Sequence, residues 1–213
     1  MNPRWVCLDV GETLVDESRV WATWAEVLEV PPLTFAACLG GVIARGEPHL
    51  SVFDVLGVDS WRERAAEVNA RYGGFVAADL YPDALPALDG LRRAGYRVAV
   101  IGNQPASRHA QLEALGVTPD VMAMSAAMGV AKPDPAFFAR ALALMGDPPP
   151  ACVAYVGDRA DNDVVPARAA GLKAVWLRRG PWGLLQDARR DADLVVASLD
   201  ELVARIGEVL PAP

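Results

Sequence analysis

The chain has 213 residues, with 20 Lys and Arg against 27 Asp and Glu, and its formal net charge is −7. At about 150 residues per domain, this length predicts one or two domains. The acidic balance argues against a nucleic-acid partner, because nucleic-acid binders present a basic face to phosphates. It still permits a small anionic substrate, because a metal ion or a few cations can reverse the field inside one pocket. Hydrophobic residues make up 53% of the chain, which is enough for a full core and excludes a disordered protein.

The cysteines and the N-terminal sequence indicate the compartment. Cys7, Cys38 and Cys152 have apolar neighbours and no CxxC or Cys/His spacing, so we expect buried, reduced thiols and no zinc site. The first residues lack the charged and apolar regions of a signal peptide. No apolar run approaches the ~20 residues that span a bilayer. We therefore expect a cytoplasmic protein with no membrane partner. The sequence leaves the oligomeric state open, and we expect a monomer or a homodimer.

Short apolar runs alternate with helical patterns along most of the chain. The nearly continuous apolar character of these runs is typical of strands in a parallel sheet that is covered on both faces. Proline near the start and glycine just past the end mark several of the helices between them. The predicted strands are residues 5–9, 97–101, 120–124, 152–156, 173–177 and 193–196, and the predicted helices are 83–94, 105–115, 135–145 and 162–170.

Residues 16–79 interrupt this alternation, because they contain helical patterns and no convincing strand. The pattern at 17–30 places Val20, Trp21 and Trp24 on one stripe. Ser60 and Glu63 have the spacing of a capping box that opens a second helix. The sequence thus predicts an α/β fold, a Rossmann-like doubly wound parallel sheet, with a small inserted all-helical domain. In this division residues 1–15 and 80–213 form the core domain and residues 16–79 the helical one.

Acidic residues follow the predicted strands. Asp9 ends the first predicted strand, and Asp158 and Asp163 follow the fourth predicted strand of the chain. Carboxylates gathered at one end of a parallel sheet repel each other unless a cation lies among them. Oxygen ligands favour a hard ion, Mg²⁺ first. Lys132, on the loop after the third strand, could neutralise either these carboxylates or a bound phosphate.

These motifs resemble the haloacid dehalogenase-like hydrolase superfamily over nearly the whole chain. The family's first motif, Asp-x-Asp-x-Thr, is matched by Asp9-Val10-Gly11-Glu12-Thr13. Its lysine before Pro-Asp-Pro is matched by Lys132, and its Gly-Asp-x-x-x-x-Asp by residues 157–163. The helical insert lies between the first and second motifs, where it resembles the family's C1-type cap.

The resemblance implies a covalent mechanism on a small phosphorylated metabolite. Asp9 would attack phosphorus and form an aspartyl-phosphate that water hydrolyses. Mg²⁺ would be bound by Asp9, the backbone carbonyl of Gly11, Asp158 and Asp163. The metal and Lys132 would stabilise the charge on the phosphoryl oxygens. The cap would close over the site and select the substrate.

Two catalytic positions depart from the family pattern. The second aspartate of the first motif, which protonates the leaving group in family phosphatases, is Gly11 here, and the Ser or Thr of the second motif is Gly102. Losing a general acid–base typically lowers rates by about 10²–10⁴-fold. A poor conventional phosphatase is therefore expected unless other groups compensate. Glu12, the backbone amides of Gly11, Gly102 and Asn103, and a leaving group that needs no proton are the candidate compensations.

The departures leave three functions open. The first is a phosphatase; the second is a catalytically impaired binding or regulatory protein, in which Gly11→Asp with Gly102→Thr should raise turnover. The third is a 2-haloacid dehalogenase, ranked lower because that branch lacks the metal-binding fourth motif. In the insert, Arg45 and His49 are the polar candidates to face the substrate, although a surface position is the more ordinary interpretation of each. Arg178 and Arg179, after the fifth strand, fit either an anion-attracting loop or an exposed basic turn.

Overall fold

A six-stranded parallel sheet forms the centre of the protein in the computed structural model, which describes residues 3–212. The strand order is β3-β2-β1-β4-β5-β6, so the chain runs outward from β1 first to one edge and then to the other. The strands are β1 (Trp5–Leu8), β2 (Arg97–Gly102), β3 (Val121–Met124), β4 (Val153–Gly157), β5 (Lys173–Leu177) and β6 (Leu194–Val196). The predicted doubly wound sheet is confirmed, including the edge strand β3.

Helices cover both faces of the sheet and fill the connection after β1. Four of them, α1 (Ser18–Val27), α2 (Pro32–Ala44), α3 (Val52–Val55) and α4 (Trp61–Tyr72), lie within residues 16–79, between β1 and α5. The others are α5 (Ala84–Arg93), α6 (Arg108–Ala114), α7 (Ser125–Met128), α8 (Pro135–Leu144), α9 (Val165–Ala169), α10 (Gly180–Leu185) and α11 (Leu199–Arg205). A π-helical turn, Ala160–Val164, leads into α9.

Each face of the sheet has its own apolar core because side chains of a strand alternate between the two faces. Val6 and Leu8 of β1 pack towards α5 and α11, while Trp5 and Cys7 pack towards α8. All of these residues are buried, as the continuous apolar strands predicted. The three cysteines are unpaired, and only Cys7 is fully buried.

Helices α1 to α4 pack around a third apolar cluster. Its aromatic residues include Trp24, Phe53 and Trp61, and the Phe53 and Trp61 rings stack 4.4 Å apart. Trp182 of α10 is the one buried residue of this cluster that comes from outside the segment 16–79. The two ends of the segment meet, because the Asp16 N–H donates to the Asp79 carbonyl at 2.8 Å. Trp24 and Trp61 of the insert therefore pack against this apolar cluster.

The helix cap predicted at Ser60 is wrong. Ser60 does precede α4, but its φ of −89° and ψ of 13° are not those of a capping residue, and its side chain makes no cap hydrogen bond. Asp83 likewise precedes α5 without capping it. Its carboxylate instead accepts hydrogen bonds from Arg179 and from the Leu199 N–H. A tertiary ion pair has replaced the local cap.

Within residues 3–212, no single helix is long and apolar enough to cross a membrane. Helices α1 and α2, bent by 118° at their junction, meet the length and composition criteria only when taken together.

Candidate active site

Three carboxylates converge where the central strands end. The strand register aligns Leu8 with Val100 of β2 and Val156 of β4, so Asp9 emerges between the ends of both neighbouring strands. Asp158 follows β4, and Asp163 is on the π-helical turn behind it. One oxygen of each carboxylate lies within 4.8 Å of the others. This is the crevice at the switch point of strand order, where doubly wound sheets bind ligands.

Lys132 lies inside this cluster, and its side chain is only 1% exposed. Its Nζ is 2.7 Å from Asp9 Oδ1 and 2.6 Å from Asp163 Oδ1. Asn103 holds the lysine backbone at both polar groups, donating to the Lys132 carbonyl and accepting from the Lys132 N–H at 2.9 Å each. Asn103, predicted to bind substrate, therefore holds the backbone of the residue that carries the ammonium group.

The cluster carries an excess of negative charge, because within residues 3–212 it contains three carboxylates and only one ammonium group, that of Lys132. Asp158 is 1% exposed, and its Oδ2 has no hydrogen-bond partner among the described residues. Burial, with Asp163 and Asp9 nearby, raises the pKa of Asp158 well above its ordinary value. Burial also raises the pKa of Asp163 to about 6, although Lys132 opposes the shift. A buried, unpartnered carboxylate oxygen beside two further carboxylates fits a divalent cation.

The carboxylates differ in how free they are to bind such a cation. Asp163 Oδ1 accepts from Lys132, and its Oδ2 accepts from the Arg159 N–H at 2.9 Å. Asp158 is instead held through its backbone, because Trp176 Nε1 donates to its carbonyl at 2.9 Å. Asp158 thus has the free oxygen, while Asp163 orients the lysine and the following turn.

A cavity of about 270 Å³ opens from these carboxylates towards the helices between β1 and β2. Its floor includes Asp9, Lys132 and Asp158. One wall is aromatic, and its three rings lie 6.0–6.5 Å from one another. We call Trp21, His49 and Trp182 the aromatic wall.

His49 therefore lines the cavity, as predicted, whereas Arg45 does not. Burial, together with the nearby Arg159 guanidinium, lowers the pKa of His49 to about 4. His49 is thus neutral at pH 7. Arg45 is exposed and forms a 2.6 Å ion pair with Glu47. Arg159 is the cavity cation that the sequence interpretation missed, and its guanidinium lies 5.1 Å from the Trp182 ring centre.

The basic loop after β5 does not supply cations to the cavity. Arg179 pairs with Asp83 and donates to the Thr13 carbonyl at 3.1 Å. Arg178 is exposed. Neither lines the cavity, whereas Trp182, a few residues further on, does. The anion-attracting interpretation of this loop is therefore not supported.

The nucleophile candidate occupies the space beside Gly102. A Cβ atom at this position would lie 2.4 Å from Asp9 Oδ1 and 3.2 Å from the Val10 backbone nitrogen. A threonine side chain cannot be added here without moving Asp9. Restoring the family hydroxyl at position 102, as the sequence suggested, would therefore disturb the cluster that it should assist.

Gly11, the other departure from the family pattern, has a carboxylate beside it that sequence reasoning missed. A Cβ atom on Gly11 would lie 2.5 Å from Oε1 of Glu17 and 3.1 Å from its Oε2. Glu17 also lines the cavity, and Gln104 Nε2 donates to its Oε1 at 3.1 Å. Burial, reinforced by Glu12, raises the pKa of Glu17 to about 7. The sequence offered no signal for this, because Glu17 stood at the first position of a predicted helix.

Glu12 lines the cavity, but both of its oxygens are already bound. Its Oε2 accepts from the Tyr81 hydroxyl at 2.6 Å, and its Oε1 accepts from the Glu17 N–H at 3.0 Å. The residue is buried, with a left-handed backbone φ of 50°. These bonds fix the start of α1 relative to the loop after β1. The geometry disfavours the predicted catalytic role for Glu12, which required the side chain to swing towards a leaving group.

The sheet order, the carboxylate cluster and the buried lysine define an α/β protein with an acidic site at the carboxyl ends of its central strands. A family model for haloacid dehalogenase-like hydrolases matches residues 3–171, and the chain belongs to this family. The resemblance seen in the motifs is therefore confirmed.

Curated relatives of this chain are named as phosphatases. A plasmid-encoded phosphoglycolate phosphatase of Cupriavidus necator is 32% identical, with 98% of this chain and 95% of the relative covered. A phosphoserine phosphatase of Thermus thermophilus is 36% identical, with 58% of this chain and 49% of the relative covered. The match thus spans about half the length of the second relative.

Solved structures share the whole fold. A phosphatase of the family from Thermococcus onnurineus superimposes with a TM-score of 0.63 at 23% identity, covering 97% of this chain and 98% of that one. The L-2-haloacid dehalogenase of Xanthobacter autotrophicus gives 0.67 at 19% identity, covering 96% and 98%. At these identities the superpositions establish the fold alone, and both branches of the family share it.

Proposed function

We propose that this protein is a Mg²⁺-dependent phosphatase that acts on a small phosphorylated metabolite through an aspartyl-phosphate on Asp9. The observation that carries the proposal is the cluster of Asp9, Asp158 and Asp163 around Lys132 at the floor of the cavity. The phosphatase names of the relatives support the same reaction class.

Each member of the cluster has a role that its contacts support. Asp9 presents its carboxylate to the cavity for attack on phosphorus. The buried Lys132 ammonium orients that carboxylate now and stabilises a phosphoryl oxygen when substrate enters. Mg²⁺, held by Asp9, the Gly11 carbonyl and Asp158 with Asp163 beside it, would neutralise the carboxylates and polarise the phosphoryl group. Asp163 keeps the lysine in place.

Residues 16–79 would act as a cap that covers this site. Their helices supply Trp21 and His49 to the aromatic wall, opposite the carboxylate floor. A substrate would thus place its phosphoryl group on the floor and its remaining part against the wall. A volume of about 270 Å³ suits a compact metabolite and not a macromolecule.

The free oxygen of Asp158 favours a phosphatase over a dehalogenase. Halide displacement needs no metal, so a buried carboxylate without a partner among the described residues would have no purpose in that reaction. The catalytically impaired alternative depended on the losses at positions 11 and 102, and the carboxylate of Glu17 beside Gly11 weakens the first of these two grounds.

A panel of phosphate monoesters, assayed with and without Mg²⁺, tests the proposal. The panel should include 2-phosphoglycolate, phosphoserine and glyceraldehyde 3-phosphate, which the relatives' names indicate. Asp9→Asn should lower kcat by on the order of 10³-fold or more, and the exposed Asp54→Asn should leave it unchanged. Turnover that survives Asp9→Asn, or that EDTA does not affect, would refute the mechanism.

A further inference from the structure

The space beside Gly11 is filled by the carboxyl group of a residue six positions later. Glu17 Oε1, Cδ and Oε2 lie 2.5, 2.7 and 3.1 Å from the position of a Cβ atom built on Gly11. Covalent geometry places the carboxylate oxygens of an aspartate about 2.4 Å from its own Cβ. Oε1 of Glu17 is therefore at nearly the distance from the Gly11 Cβ position that an aspartate oxygen at position 11 would have, with the rest of the carboxyl group farther out.

The surroundings of Glu17 aim this carboxyl group into the cavity. Its backbone N–H is fixed by Glu12, and its Oε1 accepts from the uncharged amide of Gln104. No Lys, Arg or His in residues 3–212 forms an ion pair with it. It lines the same cavity as Asp9 and Lys132. Of the cavity carboxylates, Glu12 has both oxygens bound, and Asp9 and Asp158 belong to the lysine cluster.

We propose that Glu17 is a catalytic residue of the phosphatase reaction, supplying from the start of α1 the proton-transferring carboxyl group that position 11 lacks. The inference rests on the proposed function, since it assigns a role within that reaction.

Both half-reactions then balance. In the first, an Asp9 oxygen bonds to phosphorus, the bond from phosphorus to the leaving oxygen breaks, and Glu17 gives its proton to that oxygen. In the second, a water oxygen bonds to phosphorus while the Glu17 carboxylate takes a water proton. The bond between phosphorus and Asp9 breaks, which releases phosphate and restores both carboxyl groups.

A series of aryl and alkyl phosphates tests this role without knowledge of the natural substrate. The specificity constant kcat/KM reports the steps up to departure of the leaving group. Glu17→Gln should lower kcat/KM by about 10²-fold or more for phenyl and alkyl phosphates, whose leaving groups need a proton. For 4-nitrophenyl phosphate and acetyl phosphate the loss should stay below about tenfold, so that the dependence on leaving-group basicity steepens. The exposed Glu26→Gln, on the same helix, is the matched control.

A double variant that moves the carboxylate from position 17 to position 11 provides a second test. Gly11 is not in the left-handed backbone region, so an aspartate can adopt its backbone once the Glu17 side chain is shortened. Glu17→Ala combined with Gly11→Asp should recover at least about tenfold of the activity towards alkyl phosphates that Glu17→Ala loses. Gly11→Asp alone should not raise activity, because two carboxylates would then compete for one space.

The outcomes separate this inference from the proposed function. An equal loss across the series for Glu17→Gln, or a double variant no more active than Glu17→Ala, would overturn the role of Glu17 and leave the phosphatase proposal standing. A wild-type protein inactive on every ester would overturn both.

Discussion

The excess negative charge around Asp158 predicts that removing this carboxylate stabilises the protein when no divalent cation is present. Asp158 is buried, and its Oδ2 has no partner in the described structure. Oxygens of Asp9 and Asp163 lie within 4.8 Å, and the one nearby ammonium group, Lys132, contacts those two carboxylates. In Asp158→Asn the charge is lost, and the amide N–H can donate to a neighbouring carboxylate.

The magnitude follows from the distances. At an effective dielectric constant of about 20, two unit charges 4.8 Å apart repel by about 3.5 kcal/mol. Asp158 faces two such charges, but Lys132 offsets part of the repulsion, and the raised pKa of Asp158 favours uptake of a proton, which relieves more of it. A net gain of about 2 kcal/mol remains. For a chain of this size it corresponds to a Tm increase of about 4–8 °C.

Thermal unfolding in EDTA measures the cost of the Asp158 charge without a cation, and thermal unfolding in Mg²⁺ measures its contribution when the cation is bound. In EDTA, Asp158→Asn should melt above the wild type. Mg²⁺ at about 100 times its Kd should stabilise the wild type by about 2.7 kcal/mol. The variant should gain much less, because it has lost a charged ligand. Asp59→Asn, an exposed substitution of the same type, is the control. A variant that melts below the wild type in EDTA, or that keeps the full Mg²⁺ shift, would refute the reasoning.

Two further predictions concern the other titratable groups of the cavity. Folded His49 has a pKa of about 4, below the 6.5 of the unfolded chain, so its contribution should destabilise the protein as pH falls from about 7 towards 4. Urea unfolding at pH 7.5 and 4.5 measures the decrease in the free energy of unfolding over this range. The decrease should be about 1–2 kcal/mol smaller for His49→Gln than for the wild type, after discounting for the partial solvent exposure of His49. Equal decreases would contradict the prediction. Lys132→Met should lower the free energy of unfolding by roughly 3–5 kcal/mol at pH 8, because Asp9 and Asp163 would be buried without their ammonium partner. An unchanged urea midpoint would show that the ion pairs contribute nothing.

Local sequence patterns predicted much of the fold and part of the site. The continuous apolar runs are a property of short segments, and all six became parallel strands. Asp9 and Asp158 directly follow two of those strands, so their meeting follows from the strand order alone. Helix ends were less predictable, because Asp83 and Ser60 satisfy local rules that a tertiary contact or the backbone conformation overrode.

Residues whose roles depend on contacts between distant segments could not be assigned in this way. Arg45 and His49 are close in the chain and were equal candidates, yet only His49 lines the cavity. Arg159 and Trp182 line it as well, and no motif identified them. Which side of a loop or helix faces a cavity is decided by packing, and spacing in the sequence does not encode it.

Gly11 and Gly102 illustrate the difference between what the sequence determines and what only the tertiary structure determines. The amino-acid sequence alone established the family, the parallel sheet and the position of the carboxylate cluster, because these follow from strand hydrophobicity and from motifs at strand ends. It also showed that two family side chains are missing. Only the tertiary structure revealed that Asp9 fills the space beside Gly102 and that Glu17 fills the space beside Gly11. Close approach between non-adjacent segments is a property of the folded volume, which a linear pattern does not contain.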